Sequence, residues 1–208
     1  MQIRFYPYDF EYRIIDEKVY VRLFSRLESG DTICVQQQYQ PYFFAEFHQI
    51  DQQLIEKKLQ GLTIEEKSIV AKVLSWEIVE KELLGKKSKF WKIYTNLPKA
   101  VPLISSQLES WGIKCYEKDI LFVHRYLRDT GIIPLTLSKA EGDFVESNIP
   151  LFVTDKVEDA GKDTSENWKI LAIDIETYSV NKEIDPEKNP VLMIAFYGVD
   201  NGKEFKKV

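Results

Sequence analysis

Two acidic residues inside an otherwise apolar segment are the feature of the sequence most suggestive of chemistry. Asp174 and Glu176 lie in the run 170–178, which reads ILAIDIETY. Residues two apart in a β-strand point to the same side, so both carboxylates share one face, whereas Ile173 and Ile175 lie on the other. Two neighbouring carboxylates repel each other and are costly to desolvate unless a cation lies between them. Because hard cations such as Mg²⁺ prefer oxygen ligands, the pattern indicates part of a divalent-metal site.

The chemistry that such a site supports is phosphodiester cleavage. Two divalent ions about 4 Å apart activate a water molecule and stabilise the leaving oxygen. The alternative is an edge strand with both carboxylates solvated, since Asp-x-Glu occurs often by chance. The spacing alone leaves both interpretations open.

A second group of residues combines aromatic rings with a positive charge. Phe90, Lys92 and Tyr94 share one face of a predicted strand. Tyr42 and Phe44 share one face of another. An exposed sheet face of this composition can stack unpaired nucleic-acid bases. The alternative is a second core layer covered by the N-terminal strands, because aromatic residues are enriched in strands whatever their function.

Composition restricts the class of protein. The 208 residues carry 28 Lys and Arg against 33 Asp and Glu, which gives a net charge of −5. This charge excludes binding of nucleic acid by bulk positive charge, so any such binding needs a local basic patch. Cys34 and Cys115 are far apart and match no metal-binding spacing, which favours a reducing compartment, here the cytoplasm. The N-terminal residues do not resemble a signal peptide, and no apolar run approaches the length of a membrane span.

The elements that must position these residues follow from the periodicity. Residues 1–38 alternate as three antiparallel strands, with a turn at Asp16-Glu17. Residues 41–120 follow a β-α-β-β-α-β order, the ferredoxin-like pattern, with one extra helix at 63–74 that a capping box predicts. Residues 121–137 form a helical end, which completes a first domain of 1–137.

The charge and the hydrophobic pattern of the remaining residues change twice along the chain. Residues 138–168 hold eight acidic against three basic residues and weak periodicity, which predicts a solvated acidic connector. Residues 169–208 contain two apolar strands and the start of a third. Because so few strands cannot enclose a core of their own, we expect this segment to open a domain whose remainder is absent.

Several segments resemble family B DNA polymerases. The run 170–178 closely resembles the first exonuclease motif of that family, and 190–195 resembles the next strand of the same domain. The upstream chain is similar to the N-terminal domain of the archaeal members, and the similarity is collinear over nearly the whole chain. The segments that carry this upstream resemblance are 21–24, 41–44, 79–85, 90–94, 119–127 and 131–134.

The resemblance implies that Asp174 and Glu176 bind metal and act catalytically in 3′–5′ proofreading. The family completes that site with further aspartates in later motifs and polymerises DNA with a palm domain, and neither lies within these residues. We therefore expect Mg²⁺ or Mn²⁺ only in the complete exonuclease site and no nuclease activity from this chain alone. The implied partners are single-stranded template DNA and, if the enzyme is split, the remaining polymerase polypeptide.

In the archaeal relatives the N-terminal domain has a pocket that captures template uracil. The position before Trp91 usually holds a smaller aliphatic residue in uracil-sensing relatives, and here it is Phe90, whose bulk should fill the pocket. We therefore expect contact with the template strand but not uracil sensing. Together with Lys92 of the aromatic face, the resemblance implies these nucleic-acid-binding residues: Phe10 (with Tyr8 as the alternative), Pro41, Tyr42, Phe90, Ile120, Phe122 and Arg125.

The resulting expectation is an α+β chain, made of an antiparallel β meander with a ferredoxin-like subdomain, followed by the first strands of a ribonuclease-H-like exonuclease fold. Its expected role is that of an N-terminal fragment of a DNA-directed DNA polymerase. The alternatives are a stand-alone single-stranded nucleic-acid-binding module, in which the two acids have no function, and an inactive remnant.

Overall fold

The computed structural model describes residues 1–47, 52–165, 168–179, 185–200 and 202–208. The chain divides into two compact units, Met1–Asp163 and Thr164–Val208. In chain order, the elements of the described part are β1 (Gln2–Ile15), β2 (Lys18–Leu27), β3 (Thr32–Gln38), β4 (Tyr42–Glu46), α1 (Gln52–Leu59), β5 (Thr63–Glu66), β6 (Ile69–Leu83), β7 (Lys86–Thr95), α2 (Ala100–Ser110), β8 (Cys115–Tyr116), α3 (Phe122–Thr130), β9 (Thr136–Val145), β10 (Leu151–Thr164), β11 (Ile170–Thr177), β12 (Val191–Asp200) and β13 (Lys203–Lys207).

Five strands of the first unit close into a barrel in the order β1-β2-β3-β10-β9. The strands β1, β2 and β3 are antiparallel neighbours, as the alternation predicts, whereas β10 runs parallel to β3. Phe5, Leu23 and Phe152 are fully buried inside the barrel, and Tyr126 of α3 packs in the same cluster. The predicted turn at Asp16-Glu17 is confirmed, since both residues have positive φ (47° and 62°), as a tight two-residue hairpin turn requires.

The second sheet of this unit has the strand order β5-β6-β7-β4-β8, with antiparallel pairing throughout. One face packs against α1 and α2, because strand alternation places Phe43 of β4 with Trp91 and Ile93 of β7 on that side. Ala100, Ile104 and Leu108 of α2 are fully buried in the same core. The opposite face carries the aromatic and basic residues discussed below.

Two segments differ from the sequence-based expectation. The helix predicted at 63–74 is wrong: β5 and the start of β6 form a hairpin there, with Glu66 paired to Ile69. The β-branched residues of this segment favour an extended chain, and alternation buries Ala71 and Val73 on the helix-covered face, so packing overrides the capping-box signal. The strand predicted up to residue 120 is confined to Cys115–Tyr116.

Residues 138–168, predicted as a solvated acidic connector, instead contribute β9 and β10 to the barrel. The prediction was wrong because acidic side chains lie on outward positions, while few but large apolar residues fill the inward ones. Phe152 and Val157 are buried at 0% and 3% exposure, and Leu137 and Ala140 are buried at the opening of β9. The excess of acidic residues therefore led to the prediction of a solvated connector where the chain forms two barrel strands.

The second unit contains one antiparallel sheet in the order β11-β12-β13. The strands β11 and β12 are apolar, yet most of their side chains are exposed, and β13 is mainly charged. None of the helices in the described part of the chain has the length and apolar character that crossing a bilayer requires.

Candidate functional site

The two acids identified from the sequence lie in the middle of β11. Asp174 pairs with Ala195 of β12, and Glu176 pairs with Met193 just before a register shift in the strand. Both acids are exposed. Because directly paired residues share a sheet face, Ala195 and Met193 lie beside the carboxylates.

The opposite face of the same sheet is apolar and uncovered within the second unit. Leu171, Ile173 and Ile175 of β11 are between 52% and 56% exposed, and Ile194 of β12 is 38% exposed. Phe205 of β13 lies over Gly198, where a Cβ atom would come within 2.1 Å of the ring. A strand that carries acids on one face and a continuous apolar surface on the other is typical of a sheet that is buried in a larger fold.

The donor set of this site suits a hard divalent cation but is incomplete. Two carboxylates on one face supply the oxygen ligands that Mg²⁺ and Mn²⁺ prefer. Among the residues that the structure describes, no cluster of three or more His, Cys, Asp or Glu side chains could hold a metal ion. The residues therefore fit such an ion in chemistry but not in number.

The aromatic and basic residues lie on the sheet face that points away from α1 and α2. Tyr42, Phe44 and Phe90 are 8%, 5% and 4% exposed, so the rings form a satellite core rather than an open stacking platform. Cationic side chains cover them. The Nζ of Lys81 lies 3.9 Å from the Phe44 ring centroid, and the Nζ of Lys92 lies 4.3 Å from that of Tyr42.

Arg125 of α3 completes this cover and is itself almost fully buried. Its guanidinium carbon lies 4.7 Å from the Tyr42 ring centroid. The guanidinium donates hydrogen bonds to the carboxylate and the backbone carbonyl of Glu117, and Lys81 lies 3.5 Å from the same carboxylate. Burial acts to raise the pKa of Glu117, but the hydrogen bond and charge of Arg125, together with the charge of Lys81, outweigh it and lower that pKa overall.

Asp129 fixes two of the aromatic side chains through their hydroxyl groups. Its carboxylate accepts hydrogen bonds from the hydroxyl groups of Tyr39 and Tyr42. Burial and this bonding to a carboxylate raise the pKa of both phenols, which keeps them protonated as donors. We call the set Tyr42, Phe44, Lys81, Phe90, Lys92, Glu117, Arg125 and Asp129 the aromatic–cation face.

Next to this face lies a cavity of about 350 Å³ between the barrel, α2 and α3. Tyr12 of the barrel, Pro98 and Lys99 before α2, and Lys118 also line it. The structure brings five of the predicted nucleic-acid-binding residues to its wall: Pro41, Tyr42, Ile120, Phe122 and Arg125.

The other three predicted residues lie elsewhere. Phe10 packs against the barrel core, and Lys92 lies over the rings of Tyr42 and Tyr94. Phe90 packs edge-on against Tyr116 at 5.5 Å between ring centroids and lines a separate, smaller cavity of about 160 Å³.

Tyr39, Glu117 and Asp129, which make polar contacts at the face, were not predicted from the sequence. Asp129 could have been found, because it follows Arg125 by one turn of a predicted helix and shares its face. Glu117 could not, since its approach to Arg125 depends on a positive φ of 55° in the loop before α3.

Comparisons with known proteins agree on one family. Residues 113–207 match the model of the family B DNA polymerase exonuclease domain. A DNA polymerase of Methanocaldococcus jannaschii is 30% identical over 199 residues, and one of Thermococcus kodakarensis is 31% identical over 191 residues. These matches cover 94% and 90% of this chain but only 11% and 10% of those polymerases, so the chain spans about a tenth of their length.

A solved structure gives the same result for the fold. The family B DNA polymerase of the hyperthermophilic archaeon Pyrobaculum calidifontis superposes with a TM-score of 0.78 over 99% of this chain, at 26% identity, and the match covers 26% of that polymerase. The chain is thus similar in sequence and in fold to archaeal family B DNA polymerases, and its residues 113–207 match the exonuclease domain of that family.

Proposed function

We propose that the chain serves as the N-terminal part of a family B DNA polymerase, in which residues 169–208 open the 3′–5′ proofreading exonuclease and residues 1–137 contact the template strand. The observation that carries the proposal is the position of Asp174 and Glu176 on one face of β11, inside the segment that matches the exonuclease model. Under this proposal the two acids bind metal and act in catalysis.

The exposed second unit supports the proposal. A three-stranded sheet with an uncovered apolar face gains little stability by itself, because apolar area that stays in water contributes nothing to folding. The chain covers only a small part of its relatives, whose matched domain is an exonuclease. The simplest occupant of the uncovered face is the rest of that domain, from beyond these 208 residues.

The role of the two acids follows from their chemistry. When divalent ions are bound, they supply water activation and stabilisation of the leaving oxygen in phosphodiester cleavage. Asp174 and Glu176 would provide oxygen ligands on one side. Since the described residues offer no third acid at this place, the remaining ligands must come from elsewhere, and the chain alone should be inactive.

Template contact is assigned to the aromatic–cation face and the cavity beside it. We interpret the sheet of this face as ferredoxin-like, because β4, α1, β6, β7, α2 and β8 follow the β-α-β-β-α-β order with β5 added at the edge. Lys92 and Arg125 lie against the ring of Tyr42, which lines the cavity, and Lys81 lies against the neighbouring ring of Phe44. A nucleotide bound there would meet both positive charge and apolar surface.

The test is reconstitution of the nuclease. The tagged chain is purified from its native source, any co-purifying polypeptide is identified, and both the isolated chain and the recovered complex are incubated with 3′-labelled single-stranded DNA and Mg²⁺. We expect degradation only by the complex or the longer protein, and its loss in Asp174→Asn and Glu176→Gln. Metal-dependent degradation by the isolated chain, abolished by Asp174→Asn, would contradict the proposal.

The stand-alone single-strand-binding module is the less favoured function. The match of residues 113–207 to an exonuclease domain gives the second unit a role that this alternative leaves unexplained. The burial of Tyr42, Phe44 and Phe90 also removes the open sheet face on which it depended.

A further inference from the structure

The outer surface of the barrel carries side chains that the proposed function does not use. Along β2 every second residue is buried in the barrel: Val19, Val21, Leu23 and Ser25. The residues between them are partly exposed and alternate between aromatic rings and guanidinium groups: Tyr20, Arg22, Phe24 and Arg26. We call these four residues the β2 ladder.

The strands on both sides extend this surface. In β3, Gln38 pairs with Tyr20 and Gln36 pairs with Arg22. In β1, Arg13 pairs with Tyr20. Paired residues share a sheet face, so rings, guanidinium groups and side-chain amides adjoin one another on the outside of the barrel.

Two of the guanidinium groups on this surface share one carboxylate. The Nε atoms of Arg13 and Arg22 donate hydrogen bonds at 2.8 Å, the first to Glu11 and the second to the amide oxygen of Gln36. An Nη atom of Arg22 also lies 3.8 Å from the Glu11 carboxylate. Glu11, which pairs with Arg22 across the strands, therefore serves two guanidinium groups, and Asp9, which pairs with Phe24, is a second acid on this face.

The topology of the barrel indicates which kind of ligand this surface could bind. The five strands pair in the order first-second-third-fifth-fourth, the third and fifth are parallel, and α3 lies between the third and the fourth. This is the arrangement of an oligonucleotide-binding fold, which binds single strands on the face of its second and third strands. The β2 ladder and its glutamine neighbours lie on those two strands.

We infer that the outer face of β1, β2 and β3, centred on Tyr20, Arg22 and Phe24, binds a segment of single-stranded DNA. The rings stack against bases, the guanidinium groups contact phosphates, and the amide of Gln38, the exposed glutamine of β3, is within reach of base edges. The surface is separate from the aromatic–cation face, which lies on the other sheet. The choice of DNA as the occupant rests on the proposed function.

The experiment is a fluorescence anisotropy titration of the 208-residue chain with a fluorescein-labelled oligodeoxythymidylate of about 16 nucleotides, the upper site size of one such barrel. Removal of a stacking ring costs about 1–3 kcal/mol, so Tyr20→Ala and Phe24→Ala should each weaken binding roughly fivefold to a hundredfold. Tyr20→Phe keeps the ring and should bind like the wild type. Arg22→Gln should reduce the slope of log K against log salt by about 0.7, one phosphate contact on a single strand.

The matched control is Arg4→Gln. Arg4 is also an exposed arginine of the barrel, but it pairs with Glu28 at 3.4 Å and lies on the part of β1 that adjoins β9. This variant should leave the affinity unchanged. Thermal melting of every variant ensures that weaker binding reflects the surface and not unfolding.

The outcomes separate this inference from the proposed function. If Lys92→Gln weakens binding while Tyr20→Ala and Phe24→Ala bind like the wild type, the β2 ladder is not a DNA surface and template contact by the aromatic–cation face stands. If the ladder variants lose binding and Lys92→Gln does not, the inference stands and the assignment of template contact to that face fails. Tighter binding to oligouridylate of the same length would overturn the assignment to DNA.

Discussion

The aromatic–cation face and the acidic strand β11 place charged groups in opposite situations. In the first, Arg125 is 4% exposed and its charge is matched by Glu117, while Asp129 accepts two phenolic hydroxyl groups. In the second, Asp174 and Glu176 are exposed on a sheet whose other face is also open. The comparison shows that the first unit completes its own charge network, whereas the two acids of the second unit are solvated.

This difference has a physical basis. A buried charge requires a partner within hydrogen-bonding distance, so a network such as Arg125–Glu117 persists only where the chain supplies both members. The acids of β11 carry no such requirement while they remain solvated. Under the proposed function they do require partners, which would be supplied from outside the 208 residues.

The largest expected effect is on stability and contrasts the two units. Phe43→Ala removes a fully buried ring from the core between the second sheet and its helices and should reduce the free energy of unfolding by about 3–5 kcal/mol. Ile173→Ala, at a position that is 55% exposed in β11, should change it by less than about 0.5 kcal/mol. Urea denaturation followed by circular dichroism measures both. A large loss in Ile173→Ala would mean that the apolar face of β11 is covered in solution.

The second prediction concerns the ion pair that fixes Arg125. Glu117→Gln leaves a nearly buried guanidinium without its carboxylate, and because Glu117 is partly exposed the expected loss is about 1–2 kcal/mol. Glu80→Gln is the matched control, since its pair with Lys87 is 3.7 Å long and exposed on both sides, and it should cost almost nothing. Equal losses in both variants would show that the Glu117–Arg125 pair contributes no more to the free energy of unfolding than an exposed ion pair.

The third prediction concerns how the stability contributed by Glu117 depends on pH. The pKa of Glu117 is lower in the folded chain than its ordinary value, so the unfolded chain binds the proton more tightly. Its contribution to stability is therefore complete above about pH 4.3, the ordinary glutamate pKa, and is lost as the pH falls through the lower folded value. Urea denaturation at neutral and at acidic pH should show that wild type and Glu117→Gln converge in stability under acid. A constant difference at every pH would contradict the assignment.

The smallest expected effect concerns the cavity beside Phe90. The wild-type chain should bind uracil-containing and thymine-containing single strands with similar affinity, because the Phe90 ring, packed against Tyr116 and Phe44, narrows the cavity that it lines. Phe90→Val should enlarge that cavity and produce a preference for the uracil strand. Competition anisotropy with the two oligonucleotides provides the measurement, and Tyr94→Phe serves as the control for a change on the same face. A marked preference for uracil in the wild type would contradict the argument from bulk.

The sequence predicted part of the candidate sites for reasons that are local. The alternation of Asp174 and Glu176 with isoleucines requires both acids to share a face once the segment is a strand, and β11 follows that pattern. The distant residues Pro41, Tyr42, Ile120 and Arg125 were grouped only by resemblance, and the fold does bring them to one cavity. Phe10 and Phe90 were grouped by the same argument and lie apart from it, because resemblance transfers positions but not the packing of a larger ring.

What the sequence determined by itself is the set of short-range features: the meander with its turn at Asp16-Glu17, the acid pair, and the aromatic alternation of β4 and β7. What only the tertiary structure decided is every feature that depends on distant segments. The acidic segment after residue 137 forms two barrel strands because Phe152 and Val157 fill a core built by β1, β2 and β3. The hydrogen bond between Arg125 and Glu117 likewise joins a helix to the loop before it. The physical reason is that alternation and turn chemistry act between neighbours in the chain, whereas burial depends on which surfaces the whole fold brings together.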